Sequence, residues 1–338
     1  MLPLRLFPAC SQCALHVDCP RLTSHTQLEN MLHIFFLPLT AVRLSHYRLL
    51  TAFLSLGFLL GFSFLAIGET HPPPDEVDEH IAHIASLAKP SPQIAIPEGV
   101  FLMGTNRRDD LRHSLEMHYD DTEFPQRHIW VDRFLMDRYE GTLSEYLAFL
   151  LTTNRPVSQE LRGLIWHLIS VHFIPDQALA TWPALYITWE EAKTFCEYHN
   201  KRLPSEAEWE KAARGESGRI FPWGEMDPTE DLAVFGQYHV HEIPLVATVD
   251  SFEDGQSIYK ILHLAGNIAE WVNDWLGPDY YPIMPPRNPP GPKSGRYKVV
   301  RGGSWKSRPV MLRAATRGGA IPEERSANIG FRCAQSSP

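Results

Sequence analysis

Tyr297-Lys-Val-Val-Arg-Gly-Gly-Ser-Trp305, then Leu312-Arg-Ala-Ala-Thr-Arg-Gly-Gly319, then Glu324-Arg-Ser-Ala-Asn-Ile-Gly-Phe-Arg-Cys-Ala334 is the stretch on which the rest of the chain turns. Tyr297 to Val300 alternate and include adjacent β-branched residues, the pattern of a strand, and Gly302-Gly303 ends it where only glycine tolerates a left-handed backbone or a close approach. Arg301, Arg308, Arg313, Arg317, Arg325 and Arg332 place six guanidinium groups within 32 residues of an otherwise acidic chain. Such a concentration means buried ion pairs or anion recognition.

The order R-G-G-S-W, R-x-x-x-R and S-x-N-I-G-F-R-C resembles the C-terminal part of the formylglycine-generating-enzyme, or sulfatase-modifying-factor, domain. The resemblance implies an α+β fold, mixed and irregular, of the C-type-lectin-like kind. In the oxidase members two cysteines between these segments bind copper and oxidise a substrate cysteine. Here Lys306 to Leu312 contains no cysteine, Ser307 falls where the first would be, and the interval is too short for the second. A hydroxyl is a poor ligand for copper(I), which selects soft thiolates, so copper is not expected. Two further signatures carry the resemblance: Cys196 to Gly215 (CEYHNKRLPSEAEWEKAARG) and Leu264 to Trp275 (LAGNIAEWVNDW). In calcium-binding relatives the carbonyls and carboxylate of the second hold the ion, which implies Gly266, Ile268 and Glu270 as its ligands here. His263 stands where relatives place Asp or Asn, so one oxygen ligand is lost from an ion that takes six to eight. The other reading is a turn held by hydrogen bonds from the Asn267 side chain to backbone. Cys196 and Cys333 match positions at which relatives carry a disulfide.

With 338 residues, 44% hydrophobic and 21% charged, the chain can bury a large core. A net charge of −9 argues against a nucleic-acid partner. Residues 1–48 read as a cytoplasmic tail or an over-extended reading frame, with Met31 an alternative start. Cys10, Cys13 and Cys19 there include a C-x-x-C, but no second one completes a zinc set. Leu49 to Ile67 is a run of 19 residues without a charge, long enough to cross a bilayer as one helix. Arg43 and Arg48 precede it while Glu69, Asp75, Glu76, Asp78 and Glu79 follow, placing the N-terminus in the cytoplasm and the remainder in the periplasm or outside the cell. Ala66-Ile67-Gly68 resembles a signal-peptide cleavage site, but the run exceeds the roughly 7 to 15 residues of a signal core, which favours an uncleaved anchor. Residues 68–93 read as a proline-bearing linker. Within it Val77, Ile81, Ile84 and Ala88 recur at helical spacing, either docking on the domain or forming a stalk.

The globular domain spans 94–336. Ile94 to Gly104 reads as two short strands broken at Pro97-Glu98-Gly99, the family's opening hairpin, and Phe124 to Tyr139 as a further strand. Thr142-x-x-Glu145, Thr188-x-x-Glu191 and Ser205-x-x-Glu208 are capping boxes that start three helices. Glu206, Glu208 and Glu210 read as helix-terminus carboxylates rather than catalytic acids. Residues 152–181, with Trp166, His167 and His172, have no counterpart in the family core and read as an insertion. His239 and His241, with Glu242 and His263, could form a transition-metal site, against the simpler reading of scattered histidines.

The oxidase relatives bind substrate in a groove over the segments that here carry Ser304, Trp305, Ser307, Arg317 and Asn328. Trp305 offers an apolar wall, and Ser304 and Asn328 offer neutral hydrogen bonds. Arg313 and Arg317, four apart, lie on one face if locally helical, able to pair with a carboxylate such as Glu270 or to bind an anion; Arg313 and Arg332 lean toward structural pairs. Two functions follow. One is an enzyme modifying or oxidising a peptide or small molecule outside the cytoplasm without the copper pair. The other is a non-catalytic binding or accessory module for an exported or membrane oxidoreductase complex.

Overall fold

The computed structural model describes residues 74–106, 121–237 and 243–337. Leu49–Ile67, the three N-terminal cysteines, His239, His241 and Glu242 lie outside these residues. Among the described residues no helix is long and apolar enough to cross a membrane.

The first sheets form one bent antiparallel ribbon. Strand β1 (Gln93–Ile96) pairs with β4 (Phe134–Asp137), and β2 (Gly99–Met103) pairs with β3 (Arg127–Val131). The hairpin therefore runs between residues 93–103 and 127–137, not between β1 and β2. Phe124 to Tyr139 is correspondingly two strands rather than one. Asp132 breaks it: its carboxylate accepts from Trp130 Nε1 (2.8 Å) and Asn288 Nδ2 (2.7 Å), and its amide donates to Asn288 Oδ1 (2.9 Å). Opposite that turn, Lys211 Nζ donates to the carbonyls of Pro97 (2.7 Å) and Gly99 (3.0 Å), pinning the bend.

The second layer is a four-stranded sheet ordered β7 (Arg317–Ala320), β6 (Lys298–Arg301), β5 (Ala269–Trp275) and β8 (Ile329–Phe331), parallel only between β5 and β8. The last strand, β9 (Ala334–Ser336), returns to pair with β4. The quoted stretch thus supplies four strands and joins both sheets.

Helices close the core. Capping boxes start α2 (Leu143–Thr152), α5 (Trp189–Tyr198) and α6 (Glu206–Arg214), with Thr142, Thr188 and Ser205 accepting from the amides of Glu145, Glu191 and Glu208. Gly215, at φ 67°, ends α6. The insertion carries α3 (Gln159–Ser170), capped by Ser158, and the single turn α4 (Asp176–Leu179). Ahead of them α1 (Pro74–Ser86) docks rather than standing free, burying Val77, Ile81 and Ile84 in one cluster with Leu147, Ile165 and Leu179. Asp78 accepts from Arg162 Nη1 at 2.5 Å, and His80 and His83 turn Nδ1 toward Asp176 at 2.9 and 2.8 Å. Cys196 on α5 is disulfide-bonded to Cys333, across a separation of 137 residues. In the chain-entropy account, closing a loop of that length contributes on the order of 4–5 kcal/mol.

Candidate functional site

The arginines resolve first. Arg301 Nη2 meets Glu210 at 2.5 Å, Arg313 meets Glu123 at 2.8 Å, Arg317 meets Glu206 at 2.6 Å, Arg325 meets Glu191 at 2.6 Å and Arg332 meets Glu270 at 2.6 Å. Only Arg308 of the six has no such partner among the described residues, and it is exposed. Of the two meanings of the arginine cluster, five residues take the ion-pair one. Glu206 and Glu210 are accordingly anchors. Burial pushes Glu206 up, but Arg317 and then Arg301 overcome it and hold the carboxyl below its ordinary range.

Arg317 therefore leaves the candidate pocket. It begins β7 instead of lying one helical turn beyond Arg313, and its guanidinium is buried against Glu206 and Tyr281. Trp305 leaves it too. Its side chain is 1% exposed, packed inward with Nε1 donating to the Ala327 carbonyl at 3.1 Å, so it offers no wall to a ligand.

Ser304, Ser307 and Asn328 do come together. After β6, Gly302 and Gly303 take φ of 90° and 68°. A side chain at Gly302 would meet the Trp209 ring at 3.2 Å, and one at Gly303 would meet the Met311 carbonyl at 3.0 Å. The chain thereby folds back tightly enough for the Ser304 amide to donate to Ser307 Oγ at 2.8 Å. Asn328 Nδ2 donates to Ser304 Oγ at 3.3 Å, and the Ser326 hydroxyl bonds Asn328 Oδ1. Ser304, Ser307 and Asn328 line a half-open cleft of about 260 Å³ with Thr316, Gly318 and Glu324. Ser307 Oγ accepts one backbone bond and keeps its own proton to donate. The cleft holds hydroxyls, an amide and one carboxylate, a set suited to polar recognition. Sequence reading missed Thr316 and Glu324, because nothing in their local spacing shows that they close around Ser307.

The turn before β5 is held as the simpler reading of it has it. Asn267, at φ 58°, accepts the Ala247 amide on Oδ1 at 2.8 Å and donates from Nδ2 to Glu140 at 2.6 Å. Glu270 is not free to bind a cation, since Arg332 takes both its oxygens and Trp209 Nε1 adds a bond at 2.9 Å. The open carboxylate is Glu140, missed in the sequence because its partner Asn267 is 127 residues away. Glu140 is fully buried, its Oε1 has no hydrogen-bond partner, and burial and then the Glu270 charge raise it well above the usual range. With Glu270 closed, the one carboxylate oxygen left without a partner beside this turn falls short of the six to eight oxygens calcium takes. Among the described residues no three His, Cys, Asp or Glu side chains group as a side-chain metal site would need. His263 is itself buried, its Nε2 donating to the Thr248 carbonyl at 3.1 Å, and burial followed by the Arg332 charge lowers it to about 4.

Other cavities are a polar groove of about 430 Å³ between Asp132, Arg202 and Asn273, and an aromatic hollow of about 360 Å³ around Phe149, Tyr198 and His199. The first is lined by Arg202, Ser205 and Glu208 of the Cys196–Gly215 signature and by Asn273, the second by Tyr198 and His199, and neither gathers residues of the Tyr297–Ala334 stretch.

Residues 83–337 match the family model described as sulfatase-modifying factor enzyme 1-like domain. The formylglycine-generating enzyme of Mus musculus is 30% identical over 292 residues, covering 71% of this chain and 74% of that protein. The enzyme of that name from Streptomyces coelicolor is 28% identical over 312 residues, 75% of this chain and 95% of that one. Among solved structures, PvdO from Pseudomonas aeruginosa superposes with a TM-score of 0.56 at 22% identity, covering 74% of this chain and 100% of that one, a likeness of fold. The chain belongs to the sulfatase-modifying factor enzyme 1-like domain family.

Proposed function

We propose that this protein is a membrane-anchored, extracytoplasmic member of the family that holds a peptide or small molecule in the Ser304–Ser307–Asn328 cleft and does not carry out copper–cysteine oxidation. The observation that carries the proposal is the cleft's lining: Ser304, Ser307, Thr316 and Asn328 gather over a glycine-rich floor, and Ser307 puts a hydroxyl where the resemblance places the first thiol of the pair. The lining contains a single titratable side chain, Glu324. One carboxylate among neutral hydroxyls and an amide is a set for polar recognition, and recognition is the reading the geometry favours. A modifying enzyme is the second reading, supported by the 30% identity to an enzyme over most of the domain.

The anchor in this proposal is Leu49–Ile67, whose uncharged run is supported by the sequence alone.

The test fills the cleft. Ser307→Trp is expected to keep the fold and to abolish complementation of a deletion strain, while Ser307→Ala retains it. Full complementation by a folded Ser307→Trp protein would move the function to another surface. New product in a supernatant of intact cells, lost in Ser307→Trp, would establish the modifying-enzyme reading instead.

A further inference from the structure

We infer that the ligand of this cleft carries a cationic group, an amine or a guanidinium, and that Glu324 receives it. The inference rests on the cleft being the binding site and adds the chemical class of what binds there.

It follows from where the charges of this half of the domain are spent. Glu123, Glu191, Glu206, Glu210 and Glu270 each hold an arginine at 2.5 to 2.8 Å. Glu324, at the cleft, holds none. It lines the cleft, is half-buried, and among the described residues has no lysine, arginine or histidine within ion-pair distance and no donor on its carboxylate. Its backbone is fixed, the amide donating to the Ile321 carbonyl at 2.9 Å, and the next residue is tied down through the Arg325–Glu191 pair. A carboxylate on an anchored turn is held at the cleft without an internal partner.

The rest of the lining sharpens the choice. Ser304, Ser307, Thr316 and Asn328 are neutral, and the floor at Gly318 has no room for a side chain, since one there would come within 2.9 Å of Val300 Cγ2. Among the lining residues the only formal charge is negative. A metal ion is a poor occupant, because one carboxylate and a few hydroxyls fall short of the six to eight oxygens calcium takes. An ammonium or guanidinium needs just such a set: one carboxylate for the charge and neutral acceptors for its remaining N–H groups. Partial burial weakens the competition from water, so the charge-assisted bond discriminates more here than at an open surface.

The experiment compares matched probes on the full chain in detergent. N-acetyl-lysine amide is set against N-acetyl-norleucine amide, and N-acetyl-arginine amide against N-acetyl-citrulline amide, each titrated by calorimetry into the parent, Glu324→Gln and Ser307→Trp proteins. Each cationic probe should bind about tenfold tighter than its neutral partner in the parent. The ratio should fall to about one in Glu324→Gln and shrink with added salt, while Ser307→Trp blocks all four probes. Equal binding of charged and neutral probes, still blocked by Ser307→Trp, overturns the charge inference and leaves the cleft standing. Binding that survives Ser307→Trp, or no binding of any probe at millimolar concentration, overturns the cleft and the inference together.

Discussion

Arg317 and Glu206 meet through two parallel hydrogen bonds, Nε to Oε1 at 2.6 Å and Nη2 to Oε2 at 2.9 Å, with both side chains buried. The pair ties the first turn of α6 to the edge strand β7, so it joins the helical signature to the arginine-rich one. Arg317→Met leaves Glu206 with Arg301 at 3.7 Å as its remaining cation. The expected loss is about 3–5 kcal/mol, because a buried charge is left without its main partner. A urea midpoint unchanged from the parent would show that Arg301 alone suffices.

Asp274 sits beside this pair, accepting the Glu206 amide at 2.9 Å. Burial and then the Glu206 charge raise it from 3.8 to about 7. The folded chain therefore holds this proton more tightly than the unfolded one. The resulting stability is complete below about pH 4 and is lost as pH rises through about 7. Asp274→Asn keeps an acceptor for the Glu206 amide and cannot ionise. Relative to it, the parent should lose on the order of 4 kcal/mol across that window. Parallel stability–pH curves for the two proteins would contradict the assignment.

Trp305 and Ser307 are two residues apart and should behave oppositely. Trp305→Ala empties a fully packed site and should cost about 3–5 kcal/mol. Ser307→Ala removes one accepted backbone bond at a half-exposed position and should cost about 1 kcal/mol. Thermal melts of the two variants check this, and a Trp305→Ala melt close to the parent's would mean that the indole is not core.

The cysteine-free interval from Lys306 to Leu312 makes a chemical prediction. Incubated with a sulfatase-type C-x-P-x-R peptide, with or without copper, the protein should leave the cysteine unchanged by mass spectrometry. Formylglycine in either incubation would refute it.

What was legible in the sequence was what is decided locally. The starts of α2, α5 and α6 could be read from Thr142, Thr188 and Ser205 because each cap and its carboxylate lie three residues apart. The pairing of β1 with β4 rather than β2 could not, because it depends on Asp132 being caught by Asn288, 156 residues away. Trp305 was misplaced for a related reason: the strand's alternation stops at Gly302-Gly303, and no period continues through the turn to say which side the indole takes. Ser304, Ser307 and Asn328 were brought together by the family motif, whereas Glu324 and Glu140 required the folded chain to show what they face and what they lack.

The docking of α1 changes what a protease could do to this protein. Three apolar side chains of the helix lie in the core, and Asp78, His80 and His83 fasten it to Arg162 and Asp176. A nick ahead of Pro74 would leave the domain with its oily seam still covered. A nick beyond Ser86 would strand that helix and leave the seam bare, inviting aggregation. Whether a cleaved domain keeps that seam covered or bares it is thus set by about a dozen residues of helix.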